Sequence, residues 1–263
     1  MGIKFGTCIS YGDAVNLSCA KALGYDYIET AISAFNDASD AQIEEFCANL
    51  INYDITCEAV NVLFGGDVKI IGENADFTQA DEYLHRLFER TKKIGYKIVV
   101  FGSGRVRRYE NGFPKEKAME QVICVCRDVI KKYADKYGFA LAVEELNQGE
   151  TNLINTLSEA EYVASNAGCG VIADYYHVAL EKDNIRNMKN PKIIIHTHTS
   201  NVPQRRYPKK TDAPEDIAGF LDFCDSLKAC GYNARMSIEA GYDGDFGEAS
   251  ADSLEYLREC WEK

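Results

Sequence analysis

The sequence predicts a (β/α)8 barrel, one domain spanning residues 1–263, and three observations point to it. The length of 263 residues is close to the roughly 250 of an ordinary eightfold α/β barrel and near the upper limit for one core. A short β-rich run followed by a helical pattern returns about every 30 residues. No Pro- or Ser-rich linker, low-complexity tract or composition break divides the chain.

The strands read at residues 4–9, 25–29, 55–62, 97–101, 139–144, 170–174, 192–198 and 235–239. Between them lie amphipathic stretches at 40–51, 79–94, 115–137, 157–167 and 214–230. Asp37 to Ser39 stand where the second helix needs a cap, and Gly95, Gly138 and Gly231 where the third, fourth and seventh need a stop. The sixth helix falls at 182–188, short and polar. Parallel strands require crossovers, and helical crossovers on eight strands argue for a closed barrel. A doubly wound open sheet would carry a Gly-rich phosphate turn after the first strand, and none is there.

Hydrophobic residues make up 46% of the chain, and no run of about 18 apolar residues occurs, as expected of a soluble protein with no membrane partner. The opening MGIKFGTCIS enters a strand pattern at once, which reads as cytoplasmic. Gly6 occupies the position where a myristoylation signal would place Ser or Thr. The 10 cysteines are scattered through strand and helix patterns, as reduced, buried thiols would be. With 29 Lys and Arg against 41 Asp and Glu, the net charge of −12 disfavours nucleic acid, whose binders carry the opposite balance. Self-association into a homo-oligomer is compatible with all of this.

Barrel sites are built at the C-terminal ends of the strands, so the residues ending the strands matter most. FALAVE ends in Glu144, GVIAD in Asp174, KIIIHTH in His198 and RMSIE in Glu239. Period two places Glu144 with Ala142 and Ala140, small residues suited to the crowded interior, and opposite Val143, Leu141 and Phe139. By the same alternation Glu239 lies opposite Ile238 and Met236, and His198 opposite Ile195 and Ile193. Three inward carboxylates would repel each other unless a cation sat among them. The oxygen-rich set with one imidazole suits one divalent metal ion, Mn²⁺ foremost, with Mg²⁺, Co²⁺ or Zn²⁺ also compatible.

These residues carry a resemblance. EELNQGETN at 144–152, the D-x-x-H of Asp174 and His177, the H-x-H of His196 and His198 with Arg205 and Pro208 after it, and SIEAG at 237–241 resemble the xylose isomerase-like sugar isomerase and epimerase barrels. Within them the motifs are most similar to ketose 3-epimerases and hydroxypyruvate isomerase, and VVFGSG at 99–104 resembles the family's fourth strand. The first hundred residues share only its general pattern. The resemblance implies that Glu144, Asp174, His198 and Glu239 hold the metal, and that Glu144 and Glu239 are the acid/base pair. It also implies that Glu150, His177 and Arg205 contact the substrate. Where the ketose epimerases have Pro, Arg and Tyr, this chain has Glu145, Gln148 and Gly149, a departure that speaks against a free ketose as substrate.

The implied substrate is a small ketose, keto-polyol or sugar phosphate. An ion chelated by its ketone and a neighbouring hydroxyl would stabilise the enediolate left when an α-proton departs. Return of the proton on the other face inverts the carbon. Loss of a β-leaving group would instead make a metal-dependent lyase or dehydratase, the main alternative. A non-catalytic sugar-binding barrel is a further one. The endonuclease IV type of this barrel needs more imidazoles than His85, His177, His196 and His198 supply. Arg105, Arg107 and Arg108 after strand four, and Arg205, Arg206, Lys209 and Lys210 after strand seven, are expected on the rim, where they would meet a substrate phosphate or carboxylate. Tyr11, Phe64 and Tyr207 are candidates for apolar walls.

Overall fold

The computed structural model describes residues 2–66 and 68–263. Eight strands, β1 (Lys4–Cys8), β2 (Tyr27–Ala31), β3 (Cys57–Asn61), β4 (Ile98–Phe101), β5 (Ala140–Glu144), β6 (Gly170–Asp174), β7 (Ile194–Thr199) and β8 (Arg235–Ile238), pair in sequence order. All neighbours are parallel, and β1 pairs with β8 to close the barrel. Among the described residues ten α-helices surround them: α1 (Ala14–Leu23), α2 (Asp40–Asn52), α3 (Phe77–Thr91), α4 (Gly104–Arg107), α5 (Lys115–Cys124), α6 (Lys131–Tyr137), α7 (Leu157–Ala167), α8 (Tyr175–Leu180), α9 (Pro214–Ala229) and α10 (Phe246–Glu262). No helix among the described residues is long and apolar enough to cross a membrane. All ten cysteines are free thiols.

The helices follow local chemistry. α2 opens on a capping box, Ser39 accepting from Gln42 N while Gln42 Oε1 accepts from Ser39 N at 2.8 Å. Asp76 caps α3 through the amides of Thr78 and Gln79. One face of α3 then buries Ala80, Tyr83, Leu84, Leu87 and Phe88. Each large apolar side chain so removed from water stabilises by about 1.5–3 kcal/mol. α5 and α6 form one continuous helix through a π-wound turn at Val125–Ile130, covering the stretch expected at 115–137. Gly138 ends it at φ 76°, a conformation that costs other residues a clash with Cβ.

Two apolar cores result. The larger lies between sheet and helices. The smaller fills the barrel itself with Tyr27, Ala59, Ile98, Val100, Ala142 and Ile172, as alternation along the strands requires. Gly6 belongs to this inner packing, because a Cβ there would lie 2.4 Å from the ring of Tyr27. Below it, Glu58 is clasped by Lys4 and Arg235, each at 2.5 Å.

The structure corrects the sequence-based assignments in four places. α1 and α10 form although only the general alternation pointed to them. The helix after β6 is α8, not residues 182–188, where a 3-10 turn at Ile185–Asn187 is found. Asp174 ends the strand and caps that helix at once, its Oδ1 accepting from Tyr176 N at 2.9 Å; with no loop between, strand and helix merge into one largely apolar run. β2 runs on to Ala31, two residues past its expected end. In β7 a register shift between Val171 and Ile172 of the partner strand breaks the alternation. Ile195 therefore packs against the inner core on the same side as His196 and His198, not opposite them. His198 points inward as expected, but by way of the bulge.

Candidate active site

Four strand ends converge at the C-terminal mouth. One oxygen each of Glu144, Asp174 and Glu239 and a ring nitrogen of His198 lie within 4.8 Å of one another. Glu239 stands one residue beyond β8, its N–H extending the ladder to Thr199 O at 3.1 Å. At 4.8 Å and an effective dielectric near 20, two carboxylates repel by about 3.5 kcal/mol, a repulsion that a cation held among them would relieve. Three of its atoms, Glu144 Oε1, Asp174 Oδ2 and His198 Nδ1, are buried without a hydrogen-bond partner, a state that costs about 1–3 kcal/mol per group when nothing satisfies it. Asp174 uses Oδ1 for the α8 cap and so turns Oδ2 to the site. Gly102 gives Glu144 its room, since a Cβ there would fall 1.9 Å from Glu144 Oε2. The donor set, its unpaired atoms and its burial fit a divalent ion.

His198 is oriented from below. Its Nε2 lies 2.9 Å from Glu29 Oε1, while His196 Nε2 lies 2.8 Å from Glu29 Oε2; Ser237 Oγ donates to the same carboxylate at 2.7 Å. Glu29 in ionised form only accepts, so His198 carries its proton on Nε2 and turns the Nδ1 lone pair to the site. Glu29, His196 and His198 also cluster like metal ligands. At 2.8–2.9 Å, however, oxygen and nitrogen are directly hydrogen-bonded, with no space for an ion between them.

The electrostatics follow from burial and neighbours. Burial would raise the Glu29 carboxyl, but His198 and His196 hold it well below the usual carboxylate range. Burial and the charge of Glu239 push Glu144 up against the pull of His198. For Glu239 burial is outweighed by His198 and Arg205, and its carboxyl is lowered. The surrounding carboxylates push His198 well above the ordinary histidine value despite its burial. A metal would compete with a proton for Nδ1.

The three expected substrate residues surround this centre. His177 is buried, and its Nδ1 accepts from the amide of Asn147 at 3.1 Å. With Nδ1 accepting, the ring turns Nε2 to the site, where it has no hydrogen-bond partner among the described residues and lies 3.4 Å from Asp174 Oδ2 and 3.8 Å from Glu144 Oε1. Arg205 reaches in from the loop after β7 to Glu239 Oε2 at 2.5 Å, Glu150 at 2.9 Å and Asp174 Oδ2 at 3.6 Å. Its guanidinium lies 4.7 Å over the ring of Tyr176. Glu150 is further tied to Asn147 Nδ2. Gln148 turns to the exposed side, where Glu181 holds both its amide and its backbone N–H at 2.7 Å.

Two cavities share Val62, Arg205 and Glu239. One of about 430 Å³ is lined by Cys8, Ile9, Tyr11 and Asn61, the other of about 290 Å³ by Gly102, Ser103, Glu144 and Glu150. A further cavity of about 700 Å³ lies to one side among Val68, Arg105, Arg108, Tyr109 and Phe113; none of the four clustered residues lines it. Val62 and Arg205, which line both cavities, hold positive φ, 48° and 52°, a strained backbone for such residues.

The basic rim forms only in part: Arg205 reaches the centre, and other members turn elsewhere. Arg107 is fully buried, donating to Glu144 O at 2.7 Å and lying over Phe101, and burial lowers its guanidinium to about 10. Lys210 pairs with Glu255 and Glu259 on α10, and Arg206 with Asp243. Of the candidate walls only Tyr11 lines the cavity, since Phe64 and Tyr207 belong to the outer core.

Glu29, Asn61 and Gly102 also belong to the site, though none was expected there from the sequence. Glu29 carried a usable signal, because it ended the expected second strand just as Glu144 ended the fifth. Glu29→Gln places an NH₂ against one of the two imidazole N–H groups. Metal affinity is expected to fall about 10–100-fold, with stoichiometry retained, as checked by Mn²⁺ titration.

A barrel with ionisable residues on four consecutive strand ends defines a class, and comparison with known proteins gives its family. The family model of the xylose isomerase-like TIM barrel matches residues 17–260, and the chain belongs to that family. It is 29% identical over 141 residues to a 3-dehydro-D-guloside 4-epimerase of Escherichia coli K12, a match covering 50% of this chain and 50% of that protein. The chain thus matches about half the length of that relative. Its fold is similar to D-psicose 3-epimerase of Clostridium cellulolyticum H10 with D-tagatose, TM-score 0.81, 21% identity, covering 98% and 99% of the two chains. It is also similar to 3-keto-D-glucoside 4-epimerase of E. coli, TM-score 0.77, 21% identity, covering 98% and 100%. These proteins are sugar epimerases, that is, isomerases.

Proposed function

We propose that this chain is a metal-dependent sugar epimerase that inverts a carbon next to a ketone, with Glu144 and Glu239 as its acid/base pair. The observation that carries this reading is the convergence of Glu144, Asp174, His198 and Glu239 with three buried, unpaired atoms turned to one point. A divalent ion held there, Mn²⁺ foremost, would supply Lewis-acid stabilisation of the charge developing on the substrate oxygen.

The chain's own groups do the rest. Glu239, steered by its neighbours to the ionised form, takes the α-proton of one epimer and leaves an enediolate. Glu144, which burial steers toward the protonated form, returns a proton from the other side. His177 donates from Nε2 to a substrate oxygen, and Arg205 and Glu150 fix the hydroxyls beyond it. The sugar epimerases it is similar to support a carbohydrate substrate. A keto-glycoside suits this site better than a free ketose, because Gln148 stands where ketose epimerases have Arg and is bound outward by Glu181.

Product analysis tests the reaction class. Incubation of the Mn²⁺-loaded protein with 3-keto-glucosides and with ketoses is expected to yield a C–H epimer seen by NMR. A new ultraviolet absorbance from an enone or diketone would mean a lyase. Arg205→Ala is expected to lower turnover 10–100-fold, as loss of a charged contact does, and to leave metal content unchanged; loss of metal would refute its assignment.

A further inference from the structure

Glu239 and Glu144 are held in different ways. Asn61, at the end of β3 and 4% exposed, shares the inward face with Ala59, two residues earlier. Its Nδ2 reaches across to donate to Glu239 Oε1 at 2.7 Å, with Cys8 Sγ 3.5 Å away. That leaves Oε2 as the oxygen 3.4 Å from His198 Nδ1 and 2.5 Å from Arg205. Glu144 Oε1, by contrast, has no partner at hydrogen-bond distance among the described residues.

We infer that Asn61 is a positioning residue for Glu239 alone, locking one carboxylate oxygen so that only the other faces the metal and the substrate. A carboxylate free to turn about its last torsion would present either oxygen, or both together. One fixed by a buried donor at 2.7 Å presents one lone-pair set in one direction. Neutral Asn does this without adding charge beside three carboxylates and an imidazole. The next residue is Val62 at positive φ, so the backbone that aims the amide is the strained segment of the mouth. No donor among the described residues holds Glu144 Oε1 in this way, and the two bases are therefore separable by mutation.

The inference rests on the epimerase reading, and the test keeps the two apart. Asn61→Ala and Asn61→Leu, the second preserving volume, are prepared with Mn²⁺ and checked for thermal melting. Deuterium wash-in is measured from methyl 3-keto-glucoside and, separately, from its C4 epimer. Exchange is expected to fall about 10–100-fold for the epimer that Glu239 serves and to stay within about threefold for the other. The Kd for Mn²⁺ is expected to rise about tenfold with one ion per chain retained. The ratio of the two exchange rates is internal to each variant, so partial unfolding cannot imitate it. Equal slowing of both epimers, or no slowing of either, overturns the inference. If wild type exchanges neither epimer, the epimerase reading fails for this substrate. Mn²⁺ titration then decides: a tenfold weaker Kd upholds Asn61's hold on Glu239, and an unchanged Kd ends it.

Discussion

Glu144→Gln and Glu239→Gln are each expected to abolish net turnover, a loss of roughly 10²–10⁴-fold, the usual contribution of a positioned acid or base. Gln keeps the side-chain shape and one ligating oxygen but cannot accept the proton. Each variant should still exchange the α-proton of one epimer with D₂O, a different epimer in each, because the surviving glutamate faces only one side of the carbon. An NMR wash-in series on both variants with both epimers reads this directly. If one variant loses all exchange while the other keeps substantial turnover, a single base is at work and the two-base account is wrong.

Asp174→Asn and His198→Ala are expected to lose the metal, with affinity lowered by at least roughly 100-fold, beyond what a supporting residue costs. In Asp174→Asn the α8 cap can persist through the amide oxygen, so the helix should form while the charge that offsets the ion is gone. In His198→Ala the site loses its imidazole, and Glu29 loses one of the two N–H groups that keep it ionised. Elemental analysis after Mn²⁺ loading and dialysis checks both. Metal retained at full stoichiometry in either variant would place the ion elsewhere.

The barrel was legible in the sequence because alternation of β-rich and helical runs is a long-range periodic signal, and eight strand positions within a few residues were enough to specify it. The four clustered residues were legible for a related reason: each lies at or within one residue of a strand's C-terminal end, and barrel geometry brings strand ends together. Glu29 meets the same criterion at the expected end of the second strand, and its signal is equally local. Asn61 could not be found that way, since an uncharged amide at a strand end is common and its importance lies in reaching Glu239 across two intervening strands. The inward direction of His198 was inferred from strict alternation that the β7 bulge breaks; bulges leave little trace in composition. Arg107 shows the opposite failure. Arg105, Arg107 and Arg108 after strand four read as a basic rim, yet α4 turns the middle one, Arg107, inward behind Glu144.

The central claim is that the clustered residues use a bound divalent ion to remove a proton beside a ketone. Wash-in of solvent deuterium into methyl 3-keto-glucoside, D-psicose and D-tagatose, followed by NMR with Mn²⁺ and after chelation, tests it most directly. The account predicts deuterium at one carbon α to the ketone of at least one substrate, present with Mn²⁺ and lost on chelation. Stoichiometric Mn²⁺ binding with no exchange into any of the three, or exchange indifferent to chelation, would contradict it.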